Sequence, residues 1–547
     1  MHKYFARRPW NVFNELISHY TSRSDIVLDP FCGGGVTVVE SLKLGRRAIG
    51  VDVNPLATYV TEMQCRFLNI GSFQEALLTL RKRVEVEIVR LYRTSCTRCK
   101  SDAVAEWVQW DEVTGQMTRI KFACPKCNYV GEKSPSAYDR WLARDIDRKF
   151  NSYITSNELW YPNTRIPNGD KTNGLIGKDV RFFFELFTKR NLLALSLLLK
   201  EIDRIQDEGR RDFLRLAFSS SLKWASRQSH LRGKIVEGWA MHAYWLYPKS
   251  LEINVWKTFE RRAQAVVRGK KYSNEHLGEF AKLTDNFNDL VDGKASCLIL
   301  NRSSTDLPLP DNSIDAIITD PPYGGNVNYA ELADYWLVWI NDGKIVDKIG
   351  EVIINRTQRK TLDDYAALLS AIMAECYRVL KPERYLVSTF NSRDIRVVAS
   401  FIGAAAKAGF TLHPNGLLYQ SPIRSYTTTF HAMQIGAFVG DFVFTFIKSL
   451  KTQQDIPRQK LRIDGLKQSL AELVEDSVDK EITESRLREE AYRILIPFLV
   501  VNARANPGDC KEATDFFEAK FRERDEHFRK MRLEITERRK RKFLRQR

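Results

Sequence analysis

Near the start of the chain, apolar residues fall in two short β-branched runs, Ile26-Val27-Leu28 and Ala48-Ile49-Gly50-Val51, on either side of a helix-like stretch from Val36 to Leu44. Short unbroken apolar runs bounded by turn residues predict strands buried on both faces. Gly33-Gly34-Gly35 precedes the helix and Gly45-Arg46-Arg47 ends it, so the segment predicts strand, tight loop, helix, strand. The buried-strand pattern returns at Ile314 to Thr319. Between these regions, Ala105 to Trp110 and Thr118 to Ala123 are strand-like. Phe182 to Phe187 and Leu192 to Leu199 carry apolar runs at helical spacing, and Leu332 to Ile340 predicts a helix packed on the sheet. Leu461 to Val474 and Ser485 to Val500 predict amphipathic helices in a charged C-terminal region.

The ends of the predicted strands carry the chemistry. Asp29 opens the loop Asp29-Pro30-Phe31-Cys32-Gly33-Gly34-Gly35, and Asp52 closes the second strand. Ligands of doubly wound sheets bind at the carboxyl ends of strands, where an acid after the second strand can accept the hydrogen bonds of a ribose diol. A dinucleotide site would show Gly-x-Gly-x-x-Gly around a pyrophosphate. Here an acid opens the loop, which repels a pyrophosphate and suits a cationic amino group. A zwitterionic amino-acid nucleoside fits better than NAD, and Cys32 reads as a small loop residue.

The later strand delivers Asp320-Pro321-Pro322-Tyr323 at its carboxyl end. Two prolines stiffen the backbone and aim the Asp320 carboxylate and a neighbouring carbonyl at one point, while Tyr323 offers a stacking face. Two fixed acceptors can take both hydrogens of an aromatic amine and favour the pyramidal nitrogen that attacks a sulfonium methyl group in line. Such a transfer needs no covalent enzyme intermediate.

Composition narrows the partner. The 547 residues carry a net charge of +17, 44% hydrophobic and 28% charged residues, with no apolar run of spanning length. That balance predicts a soluble cytoplasmic protein with nucleic acid as first partner and no membrane. Nine cysteines are too few for a secreted disulfide framework. Cys96, Cys99, Cys124 and Cys127 form two Cys-x-x-Cys knuckles that predict a closed, structural Zn²⁺ site in a ribbon. Lys100, Arg119, Lys121 and Lys126, with Trp107 and Trp110, read either as a nucleic-acid contact or as ordinary ribbon surface. Arg227 to Lys234 reads as a basic loop for a DNA groove or as a solvated connector. Seven of the last ten residues are Arg or Lys, which suits phosphate contact or a solvated tail.

Taken together the motifs resemble a known family. Asp29 to Gly35 resembles the first motif of class I methyltransferases, Asp52-Val53-Asn54-Pro55 their ribose-binding motif, and Asp320 to Tyr323 the catalytic motif of amino-methyltransferases. His2 to Pro9 resembles the segment that precedes the cofactor loop and packs on the methionine part. Ser303 to Pro308 is similar to the stretch contacting the cofactor adenine, with Ser303 where relatives often carry Asp. Glu375 to Pro382, followed by Tyr385 to Phe390, resembles the helix, turn and strand after the catalytic motif, and Phe438 to Ile447 ends the sheet. With the cysteine pairs, the closest resemblance is to adenine-specific DNA methylases that contain a zinc ribbon.

The resemblance implies an α/β, Rossmann-like class I methyltransferase sheet with a zinc-ribbon and helical insertion and a helical C-terminal extension. Its expected divisions are a cofactor half over 1–70, a zinc ribbon over 71–145, a mainly helical insertion for target recognition over 146–289, the Asp-Pro-Pro-Tyr half over 290–450 and a basic helical extension over 451–547. S-adenosyl-L-methionine is the implied cofactor, with Tyr4, Ala6, Arg7, Asp29, Pro30, Phe31, Gly33, Gly35, Asp52, Val53, Asn54, Ser303 and Ser304 as its implied contacts. Asp320, Pro321, Pro322 and Tyr323 are the implied catalytic residues, acting on a base flipped from double-stranded DNA. Adenine N6 is the leading target, and Tyr329 or an Asn of Gly324 to Tyr329 is a further candidate base contact. A restriction or phage-defence partner protein remains open.

Three alternatives stay open. An RNA guanine-N2 methyltransferase shares the cofactor loop and Asp-Pro-Pro-Tyr-Gly, although motifs starting almost at Met1 are expected to leave no room for an N-terminal RNA-binding domain. Cytosine-N4 modification shares the geometry, with Ser often in place of the leading Asp. A catalytically silent nucleic-acid-binding subunit would have no chemical need for Asp29, Asp52 and Asp320 together.

Overall fold

The structure is a computed structural model describing residues 2–5, 7–420, 440–450, 462–479, 484–522 and 524. The apolar runs form the strands predicted for them. Strand β1 spans Ile26–Asp29, β2 Arg47–Asp52, β3 Cys297–Asn301, β4 Ile314–Thr319, β5 Leu380–Phe390, β6 Thr411–Gln420 and β7 Asp441–Ile447. They lie in the order β3-β2-β1-β4-β5-β7-β6, with the two-residue strand Leu283–Thr284 added outside β3. The pairs among β1 to β5 are parallel, and β7 runs antiparallel to both neighbours. Every residue of β1 and β4 is buried, as their unbroken apolar sequences require. This mixed α/β sheet is consistent with a class I methyltransferase.

The topology matters because β1 sits between β2 and β4. The chain therefore reverses direction across the sheet beside β1, and the carboxyl ends of β1, β2 and β4 meet at that crevice. Asp29 and Asp52 end their strands, and Asp320 follows β4 directly. Helix Val36–Lys43 starts from the glycine loop as predicted, and helix Leu362–Val379 precedes β5.

Between β2 and β3 the chain builds a second body. Strands Arg93–Ser95, Asp102–Asp111, Gln116–Ala123 and Val130–Lys133 form an antiparallel ribbon. Its sheet takes a fifth strand, Lys249–Ile253, from the far side of the helical insertion, so ribbon and helices share one sheet. Helices Ile70–Arg90, Ala137–Ser156, Lys189–Asp203, Glu208–Ala225 and Val255–Leu277 surround a common core. The run Phe182 to Phe187 makes only a 3₁₀ turn at Phe183–Leu186, because the residues flanking that turn are extended. Residues 227–234 do not form an open loop. Gln228 and Ser229 are fully buried, and His230–Arg232 pairs with Ile235–Glu237 in a hairpin.

Helix Tyr329–Ile340 also departs from expectation. It is apolar nearly all round, and Tyr335, Trp336 and Trp339 are buried in the core of the insertion rather than against the sheet. The Tyr335 hydroxyl donates to the Leu222 carbonyl (2.7 Å). The segment after Asp320-Pro321-Pro322-Tyr323 thus ties the insertion to the cleft. Helices Ile463–Asp479 and Glu484–Asn502 form in the C-terminal region, and Tyr492, Leu495 and Ile496 join the core that contains β5 and β7. No helix among the described residues is long and apolar enough to cross a membrane. Ala6, the first residues of Phe438 to Ile447, Leu461 and the basic run at 538–547 lie outside the described residues.

Candidate active site

One cleft of about 940 Å³ runs across the carboxyl ends of β1, β2 and β4. Tyr4, Arg7, Asp29, Pro30, Phe31, Gly33, Asp52, Val53, Asn54, Ser303, Ser304, Asp320 and Pro322 all line it. Motifs from distant parts of the sequence thus share one cavity. Gly35, Pro321 and Tyr323 do not line the cleft. Gly35 acts one step back, capping helix Val36–Lys43 with φ +75°, where a Cβ would sit 2.7 Å from Thr61 Oγ1.

The end of the cleft near β1 and β2 is framed by backbone donors. Asp52 Oδ2 accepts the Gly33 N–H (2.9 Å) and Oδ1 the Asn54 N–H (2.8 Å). Burial pushes Asp52 up to about 6 despite these two bonds. Asp29 is buried, accepts the Phe31 N–H (3.1 Å) and the Thr319 hydroxyl (2.6 Å), and is raised by desolvation. Tyr4 lies over the glycine loop, 3.3 Å from a Cβ at Gly33, and stacks on Tyr329 with ring centroids 6.0 Å apart. Arg7 donates to the Gly34 carbonyl (3.1 Å) and to Gln64 (2.7 Å). Ser304 donates to the Pro30 carbonyl (2.7 Å), joining the two halves of the sheet. Acids and small residues of this kind can hold the hydroxyls and the amino group of an amino-acid nucleoside.

The other end is already engaged. Arg8 grips Asp320 with two hydrogen bonds, Nε to Oδ2 (2.6 Å) and Nη2 to Oδ1 (2.7 Å), and its Nη1 reaches Asp441 (2.7 Å). Thr389 donates to Asp320 Oδ1 (2.8 Å), and so does the Tyr323 hydroxyl. Of these four donors three fall on Oδ1 and one, the Arg8 Nε, on Oδ2, so the crowding is on Oδ1. Burial, against the opposing pull of Arg8, holds Asp320 at about 6, and the neighbouring Asp441 adds to the rise. Tyr323 packs edge-on against Phe390 (4.8 Å between centroids), with the Arg8 guanidinium 5.3 Å from its ring. The Pro322 carbonyl accepts the Tyr365 hydroxyl (2.7 Å), which pins the loop.

A family model described as DNA methylase matches residues 2–62, the segment from the opening arm through the helix after Asp52. A curated relative, the type II methyltransferase M.MjaII of Methanocaldococcus jannaschii, is 21% identical over 343 residues. Over these residues the chain is similar to DNA methylases. The alignment takes in 61% of this chain and 58% of the relative, so the chain spans less than two thirds of that protein's length. Among solved structures, a protein of Thermus thermophilus provisionally described as a DNA modification methylase is 15% identical over 29% of this chain and 56% of its own, with a TM-score of 0.16. A SAM-dependent methyltransferase of Methanosarcina mazei is 13% identical over 31% and 81%, with a TM-score of 0.15. Overlays at such scores carry no argument, and the strand order stands on its own.

Away from the cleft, Cys96, Cys99, Cys124 and Cys127 converge with all four sulfurs within 4.8 Å of one another. The Cys96–Cys127 and Cys99–Cys124 sulfurs are 3.7 and 3.6 Å apart. Four thiolates about 2.3 Å from a tetrahedral Zn²⁺ would lie roughly 3.8 Å from each other, so the cluster fits that ion. The ribbon tryptophans are packing residues. Trp107 is buried under Arg119, and the Trp110 indole donates to Glu252 (2.9 Å). Arg119 and Lys121 pair with Glu132 and Glu106.

Sequence reasoning did not assign roles to Arg8, Thr389, Asp441 or Glu351, all at the cleft or on Asp320. Arg8 stood beside Arg7 with nothing to separate them, Thr389 reaches Asp320 through the pairing of β4 with β5, and Asp441 reaches Arg8 from β7, paired beside β5.

Proposed function

We propose that this protein transfers a methyl group from S-adenosylmethionine to the exocyclic amine of a base flipped out of double-stranded DNA, with adenine N6 as the target in preference to cytosine N4. The observation that supports this reading above all is the single cleft joining Asp29 and Asp52 to Asp320. In it, Asp52 and the glycine loop hold the nucleoside, and Asp29 faces the amino-acid part. When bound, S-adenosylmethionine supplies an electrophilic sulfonium methyl, which the target nitrogen takes as the carbon–sulfur bond breaks. Asp320 accepts a hydrogen bond from the amine and takes the proton that the methylated nitrogen sheds. A carboxyl near 6 is ionised at neutral pH and basic enough for that role.

Oδ2, which takes only the Arg8 Nε–H among the donors to Asp320, is the oxygen that accepts from the amine, beside Arg8. Arg8 holds Asp320 ionised for the arriving base. Tyr323, tied to Asp320 through its hydroxyl, supports the carboxylate. The chain's net charge of +17 favours the polyanion. The four cysteines hold a structural Zn²⁺ that stabilises the ribbon and takes no part in methyl transfer.

The test is mass spectrometry of nucleosides from DNA and RNA incubated with labelled S-adenosylmethionine and either the intact enzyme or Asp320→Ala. N6-methyladenine in DNA, lost in the variant, is the expected result. N4-methylcytosine would change the base, N2-methylguanosine in RNA would change the substrate class, and no product in either pool would overturn the reading.

A further inference from the structure

Glu351 lies in the irregular segment between helix Tyr329–Ile340 and helix Leu362–Val379, and only 4% of it is exposed. It lines the cleft. Its Oε1 accepts the Ala330 N–H (2.8 Å), but its Oε2 is buried without any hydrogen-bond partner. A buried carboxylate oxygen left unmatched is costly unless something else supplies a donor. Burial pushes the group up to about 7, and the Ala330 N–H only partly offsets this. Around it the segment is firmly held: the Lys360 ammonium donates to the carbonyls of Lys348 (2.5 Å), Ile349 (2.9 Å) and Glu351 (2.8 Å). The unmatched oxygen is therefore fixed in place by its surroundings.

The position of Glu351 indicates what would satisfy it. The preceding residue, Gly350, closes against the residues after β2 and β3, where a Cβ would lie 3.3 Å from Val53 and 3.9 Å from Ser303. Glu351 and Asp52 both act electrostatically on Tyr4 and on Tyr329, which stack together. Glu351 thus lines the same cleft as Asp52, near the Tyr4–Tyr329 pair that both carboxyls influence. Asp52 approaches from the sheet and Glu351 from the segment that follows the catalytic loop.

From this geometry we infer that Glu351 is a second carboxylate acceptor for the cofactor, its Oε2 taking a hydrogen bond from a ribose hydroxyl of S-adenosylmethionine. The inference rests on the cofactor reading proposed above. It also gives the segment after Asp-Pro-Pro-Tyr a role in cofactor binding. The chain that leaves the target end of the cleft returns to close the cofactor end, and Glu351 still holds the first turn of helix Tyr329–Ile340 through Ala330.

The test is calorimetric titration of the full chain with S-adenosylhomocysteine and with its 2′-deoxy and 3′-deoxy analogues, in the intact protein and in Glu351→Ala. The intact protein is expected to lose affinity for the analogue lacking the contacted hydroxyl by roughly 10- to 100-fold, the range of a hydrogen bond to a charged group. Glu351→Ala should bind S-adenosylhomocysteine more weakly by a similar factor and no longer discriminate against that analogue. Glu351→Gln, which keeps an acceptor for Ala330 and should melt near the intact protein, is expected to show a smaller loss of several-fold. Unchanged affinity in Glu351→Gln and Glu351→Ala would overturn the inference, as would weaker binding with both hydroxyl preferences intact. Failure of the intact protein to bind S-adenosylhomocysteine at all would sink the cofactor reading itself, a different outcome from an intact protein that binds and variants that do not care.

Discussion

At the β1–β2 end of the cleft, Asp52 uses its oxygens on two backbone N–H groups, while at the β4 end Asp320 is gripped by the side chain of Arg8. Both carboxyls are half-buried, and desolvation raises both to about 6. Their partners differ in kind. Backbone donors of a tight loop cannot leave, so the first end is formed in advance, with lone pairs still free for ligand hydroxyls. A guanidinium on a long side chain can swing, so the second end is held by a contact that can rearrange when substrate enters. The difference suits an enzyme that binds its cofactor readily and admits a base only after it has been drawn from the duplex.

The largest expected effect separates the two ends outright. Asp320→Ala should lower the single-turnover methylation rate by about 10²- to 10³-fold, the scale of losing one fixed transition-state acceptor, with cofactor affinity unchanged. A matching collapse of cofactor binding in calorimetry would show that the ends are not separable. Next, Asp52→Ala should weaken cofactor binding by roughly 10- to 100-fold. In the intact protein the affinity should fall as pH drops through about 6, because ionised Asp52 is the stronger acceptor of hydroxyl hydrogen bonds. Titration between pH 5 and 8 checks both statements, and a flat profile would break the assignment of Asp52.

A smaller effect is expected at Arg8. Arg8 opposes the rise in Asp320, so Arg8→Ala should move the Asp320 titration above 6. Since the ionised form is the proton acceptor, the acid limb of the pH–rate profile should shift to higher pH. The rate at pH 7 should fall by about tenfold and recover at pH 8.5. An unshifted limb would mean that Arg8 leaves Asp320 before the step measured. The smallest effect on the cleft is expected from metal removal. A strong chelator should release about one zinc per chain and lower the melting temperature, since structural zinc holds such ribbons folded. Because Lys249–Ile253 belongs to the ribbon sheet, the helical insertion should loosen as well, and hydrogen exchange would map this. Cofactor affinity should stay within a few-fold.

The two ends also differ in how legible they were. Asp29, the glycine loop and Asp52 lie within one βαβ unit, where a strand run, a turn and an acid at a strand end are local patterns that dictate local geometry. Most of the residues expected at that end do line the cleft, and β4 carries Asp320 to it as its apolar run implied. Asp320's partners Arg8 and Thr389 come from the opening arm and from β5, and Arg8 is braced in turn by Asp441 of β7; no sequence spacing links them. Glu351 sits in a segment with no periodicity at all. The fold shows the same division. Strand and helix positions followed apolar period, whereas the fifth ribbon strand and the burial of helix Tyr329–Ile340 in the insertion depended on surfaces contributed by remote segments.

Sequence alone determined the local units and their chemistry: buried strands, a glycine turn, acids at strand ends, a stiff Asp-Pro-Pro-Tyr loop and two cysteine knuckles. Each depends on interactions among residues a few positions apart, so it can be read from the chain directly. Only the tertiary structure decided that Arg8 bridges Asp320 and Asp441, that Glu351 and Asp52 line one cleft, and that the ribbon shares a sheet with the helical insertion. Those contacts follow from which surfaces bury one another once the strands have ordered as β3-β2-β1-β4-β5-β7-β6, and burial is a property of the packed chain rather than of any segment in it.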